Sequence, residues 1–90
     1  MAQYLIAYEL KRPEYEYVGL FDAIKALGST HWHSMNSTWI LVSTQSALHI
    51  TKTLWAQMNK SDKLIVIEVT DKAAWAGLGE KSSDWLKNNL

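Results

Sequence analysis

Apolar and polar positions change period several times along this chain, and the changes mark its elements. Tyr4-Leu5-Ile6-Ala7-Tyr8 is an almost unbroken apolar run, closed by Glu9 and the Lys11-Arg12-Pro13 turn. Such a run predicts a strand over residues 3–9 with both faces apolar. Beyond Pro13 the spacing lengthens to three and four, through Tyr17, Leu20, Phe21, Ile24 and Leu27. That stripe predicts a helix from the Pro13 start to Leu27, with Glu14 and Glu16 near the positive end of its dipole and Gly28 as a left-handed cap. The β-prone runs Thr30–Met35 and Thr38–Val42 flank Asn36-Ser37 and predict a hairpin. Ser46–Met58 reads as a second amphipathic helix through Ala47, Ile50, Leu54 and Met58. Lys63–Thr70 reads as a last strand, apolar on both faces except at Glu68. A short helix over Ser82–Leu90, behind a serine cap, closes the chain.

The order βαββαβ plus a terminal helix predicts an α+β fold of the ferredoxin-like kind, one domain over residues 1–90. Two helices would lie on one face of a four-stranded antiparallel sheet of order 4-1-3-2. Two helices cover one face only, and both faces of the central strands are apolar. Tyr8, Trp39, Leu41, Leu64 and Val66 are therefore expected to form an interface on the open face. Pairing with a second copy would bury it in a homodimer, with the C-terminal helix as the competing cover.

Charge narrows the range of partners. Nine basic residues balance nine acidic ones, and Arg12 is the only arginine. Eight dispersed lysines make a poor footprint for nucleic acid, which favours clustered cations and the bidentate arginine fork. The absence of cysteine excludes a disulfide scaffold and thiolate metal sites. No apolar run approaches the roughly 20 residues that span a bilayer, so the expectation is a cytoplasmic protein with no membrane partner. Five Trp and four Tyr against one Phe give nearly every ring a polar handle, which suits half-buried surfaces.

Three groups of residues could carry chemistry. Glu9 stands at the mouth of an otherwise apolar strand, as a solvated strand end paired with Lys63 or Arg12, or as a metal ligand. Glu68 is too distant to share an ion with it: five residues along the neighbouring strand is roughly 17 Å. The second carboxylate of any such site would be Glu9 of a partner copy. His31 and His33, two apart on a strand, project from one face and suit either a transition metal or acid–base work near neutral pH. Met35 is the next residue on that face, and no third good ligand is near. The bland reading is an edge strand whose polar rings discourage sheet addition. Tyr4, Tyr8 and Trp39 could stack single-stranded RNA, but Ser37-Thr38-Trp39-Ile40-Leu41 lacks the basic-glycine-aromatic pattern of RNA-recognition sheets.

Tyr4–Leu10, Gly19-Leu20 with Ala23-Ile24-Lys25, Leu27-Gly28, Ser37-Thr38-Trp39 and Asp62-Lys63-Leu64 together resemble the short bacterial proteins called SinR-like, over most of the chain. That family is similar in topology to the small CRISPR-associated subunit of the spacer-integration complex, once described as an endoribonuclease, and to VapD-type ribonuclease toxins. The resemblance implies a ferredoxin-like fold and a divalent metal bound across a dimer by an acidic residue at the end of the first strand. Glu9 holds that position where the relatives carry aspartate, which lengthens the arm by one methylene. The chain also lacks an arginine-rich face. The expectation is a homodimeric binding or structural module without a cofactor. The alternative is a magnesium-dependent ribonuclease built on paired Glu9 side chains.

Overall fold

A computed structural model describes all 90 residues, Met1–Leu90. Strand β1 (Ala2–Glu9) leads through a 3-10 turn (Glu14–Tyr17) into helix α1 (Val18–Leu27). The hairpin β2 (Thr30–Met35) and β3 (Thr38–Ser43) follows, then helix α2 (Ala47–Trp55), strand β4 (Lys63–Val69) and helix α3 (Gly79–Asn89). The sheet is antiparallel throughout, in the order β2-β3-β1-β4, which is the expected 4-1-3-2 read from the opposite edge.

The core lies between α1, α2 and one sheet face. Tyr4, Ile6 and Tyr8 of β1 pack with Trp39 and Leu41 of β3 against Leu20, Ile24, Ile50 and Leu54, and Leu64 and Val66 of β4 close the side. The helical stripes are those of the sequence pattern. The open sheet face is not: Tyr8, Trp39, Leu41, Leu64 and Val66, expected at a dimer interface, form the face that the helices cover. Alternation sets which residues share a face, but not which of the two faces receives the helices. The uncovered face carries Leu5, Ala7, Ile40, Val42, Ile65, Ile67 and Val69. Helix α3 packs against β2 on this side: Trp32, Val42 and Leu86 are buried outside the main core, and Trp85 Nε1 donates to Thr30 Oγ1 at 3.0 Å. The C-terminal helix is thus partial cover. Ile65 and Ile67, at the β4 side, keep 52% and 45% of their surface exposed.

Four element ends differ from expectation. The segment after Pro13 opens as the 3-10 turn Glu14–Tyr17, so α1 itself starts only at Val18. Gly28 is extended (φ −123°, ψ 162°) rather than left-handed. Its glycine is demanded by crowding, since a Cβ would lie 2.3 Å from Leu41 Cδ1 and 2.7 Å from the Val42 carbonyl oxygen. Helix α3 begins at Gly79, so Ser82 lies inside it and does not cap it. Helix α2, capped by Ser46 Oγ accepting from the His49 N–H at 3.1 Å, stops at Trp55 rather than at Met58.

One polar clasp joins the loops at the far end of β1. Asp62, only 4% exposed, accepts from the Lys11 N–H at 2.9 Å, the Asn59 N–H at 2.8 Å and the Tyr17 hydroxyl at 2.9 and 2.8 Å. Burial pushes its carboxyl up, but the hydrogen bonds from Asn59, Lys11 and Tyr17 outweigh it and hold the group below its ordinary value. A carboxylate depressed in the folded state stabilises the fold above its unfolded value of about 3.9, and that contribution fades as the pH falls through the folded value. Replacing Asp62 with Ala strands three donors and is expected to cost about 3 kcal/mol in urea unfolding at pH 7. The gap between wild type and variant should narrow below about pH 4; a gap independent of pH would contradict the assignment.

Candidate functional site

The largest concavity is a groove of about 610 Å³ along β2. Its floor is four consecutive residues, His31, Trp32, His33 and Ser34. One wall comes from the helix-covered side (Glu14, Phe21, Lys25) and the other from α3 (Lys81, Ser82, Trp85). It therefore straddles the sheet edge.

Trp39, 2% exposed, lies beneath the first wall. Its Nε1 donates to the Tyr8 hydroxyl at 2.9 Å, and that hydroxyl donates to the Asn36 carbonyl at 3.3 Å. Burial raises the Tyr8 phenol, against the opposing bond from Trp39, while the Glu14 charge adds to the rise. Tyr8 thus stays neutral and fixes the plane of the indole. His33 stacks on that plane with ring centroids 3.8 Å apart and 12° between planes, His31 tilts against it at 5.3 Å, and Phe21 stacks at 6.2 Å. His33 Nε2 lies 3.3 Å from the Asn36 carbonyl, which can only accept. Nε2 therefore carries the proton, and Nδ1 of the neutral ring keeps its lone pair. His31 is shifted below the ordinary imidazole value by partial burial, then by the charges of Lys25 and His33.

Sequence spacing placed His31 and His33 on one face, and both do meet Trp39. It also placed Met35 with them, which the structure corrects. Pairing shifts by one residue between Trp32 and Met35: Trp32 opposes Ile40, whereas Met35 opposes Thr38. This bulge turns Met35 to the opposite face, where it is half exposed. His49 is exposed on α2, away from the pair. No group of three His, Asp or Glu side chains is close enough together to hold a metal ion.

Glu9 ends the interior strand β1, beside the edge strand β4 on the side of the sheet away from the groove. It pairs in register with Lys63, Glu9 Oε2 and Lys63 Nζ lying 3.4 Å apart in a shallow hollow of about 230 Å³, and both side chains are mostly solvated. Within one chain these groups do not fit a divalent cation, because the neighbour of the carboxylate is an ammonium and no second acid is near. Glu68 lies opposite Tyr4, as the register argument anticipated.

Several members of the groove escaped the sequence reading. Lys25, Lys81, Ser82 and Trp85 reach it from elements distant in sequence, and no local pattern links them to β2. Trp32 Nε1 is the one buried side-chain donor or acceptor without a partner. No helix is long and apolar enough to cross a membrane. Neither the family models, the curated proteins nor the solved structures yield a match to this chain.

Proposed function

We propose that this chain is a homodimeric binding module of the ferredoxin-like type that takes its ligand in the β2 groove. The observation that supports this most strongly is the convergence there of two imidazoles, two lysines and four aromatic rings from α1, β2, β3 and α3. Sites for small or extended ligands are concave and combine apolar lining with a few placed polar groups. The solvated Glu9–Lys63 pair has no comparable surroundings. The dimer rests on the uncovered sheet half. Leu5, Ile65 and Ile67 lie in adjacent strands beyond the reach of α3, and a second copy would bury them. The SinR-like resemblance stays compatible with this reading through the element order and adds no chemistry to it.

The site is tested by adding mixtures of aromatic-acid and heterocyclic fragments to labelled protein and following amide and indole shifts. Fragment-induced shifts are expected at His31, Trp32, His33 and Trp85. Shifts confined to Glu9 and Lys63, or magnesium binding there accompanied by RNA cleavage, would favour the ribonuclease reading instead.

Light scattering tests the assembly separately. Wild type is expected at the mass of two chains and Ile67→Glu at the mass of one, with an unchanged circular dichroism spectrum, since Ile67 supports no core contact. A wild-type monomer would remove the dimer and leave the groove reading intact.

A further inference from the structure

The groove opens on an edge of the sheet. Its floor is the consecutive run His31-Trp32-His33-Ser34, with His31 and His33 turned towards Trp39 and Trp32 buried on the side of α3. β2 has β3 as its only neighbour in the sheet. An edge strand points alternate N–H and C=O groups away from its single partner. No backbone bond outside the β2–β3 ladder and no side chain occupies the outward groups of residues 31–34. The usual protections of such an edge are a very short strand, lysine or proline within it, a β-bulge, or a covering element. Thr30–Met35 contains neither lysine nor proline, and α3 and α1 stand to either side of the edge without closing over it. The one protective device present, the bulge between Trp32 and Met35, leaves Thr30–Trp32 regularly paired.

We propose that an extended peptide with acidic side chains adds to β2 as a fifth strand, lying in this groove. The proposal rests on reading the groove as the ligand site and names its occupant. A strand placed there would send successive side chains to alternate walls. One set would meet Phe21, Lys25 and the two imidazoles, the other Lys81, Ser82 and Trp85. Main-chain bonds would supply affinity and the walls selectivity, as in other strand-addition complexes. The acidic character follows from the lining: Lys25 and Lys81 face a single carboxylate, Glu14. The unpartnered Trp32 N–H adds one unmet donor to the same floor. The bulge between Trp32 and Met35 falls at His33-Ser34, so the added strand would pair regularly along Thr30–Trp32 and bend at the bulge.

The test selects binders to the intact chain from a displayed library of random nonapeptides, then titrates the best into labelled protein. Enriched peptides are expected to carry Asp or Glu at alternate positions and to slow hydrogen exchange of amides within residues 31–34. N-methylation of alternate peptide amides should weaken binding at least tenfold in one register and less than threefold in the other. Reversing both wall charges, Lys25→Glu with Lys81→Glu, should weaken the acidic peptide at least tenfold. Both lysines are exposed, so folding is retained. Four results would overturn the proposal: no enriched peptide, enriched peptides insensitive to N-methylation in either register, protection at 63–69 instead of 31–34, or protection of 31–34 by the protein's own concentration alone. Groove binding by fragments without any peptide enrichment would overturn strand addition and leave the ligand-site reading standing.

Discussion

The indole of Trp39 is the constraint on which both the core and the groove depend. One edge of the ring is fixed by its bond to Tyr8, one face is packed by Phe21, and the ring sits beneath α1 at the end of the apolar cluster. The same ring is the surface on which His33 stacks and His31 leans. A buried tryptophan with its N–H satisfied loses little by being immobile, and a stacked pair adds roughly 0.5–1.5 kcal/mol beyond area burial. The imidazoles therefore take their orientation from a group that the fold must order anyway. Preorganisation of this kind reduces the ordering cost that a ligand must meet.

The two edges of the sheet are treated differently. On the β4 side, Glu9 of the interior strand β1 and Lys63 of the edge strand form a solvated cross-strand ion pair, an interaction worth about 1 kcal/mol or less. It caps the register of β1 with β4. At the β2 edge, by contrast, charge sits on the walls rather than on the strand, leaving the backbone free while one α3 residue, Trp85, bonds Thr30 at the start of the strand. Asp62 acts at a third place, tying the loop before β4 to the turn after β1 through backbone donors that no apolar contact could satisfy.

Much of this was legible in the sequence. Pattern located every strand and helix, because Leu20, Ile24, Ile50 and Leu54 follow the helical period, the β1 and β4 runs are short and continuously apolar, and β-prone residues flank the Asn36-Ser37 turn. The burial of Trp39 was not legible, since a half-buried ring and a core ring look alike in a β3 pattern that is apolar on both sides. The choice of covered face depends on the helix connections, which periodicity does not encode. The bulge that separates Met35 from the histidines has no local signature in His33-Ser34-Met35. Asp62 resembled any loop acid; its role appears only when Lys11 and Tyr17, about 50 residues earlier, arrive beside it.

The most direct measurement is a proton and nitrogen NMR titration of the three histidines in the native chain. The account predicts His33 ring protons shifted upfield by the Trp39 ring current and an Nε2–H tautomer for His33. It also predicts a His31 midpoint below that of an ordinary imidazole. His33 ring protons without a ring-current shift, together with a His31 midpoint at the ordinary imidazole value, would show that Trp39 does not organise this edge, and the groove would lose its claim to be the functional surface.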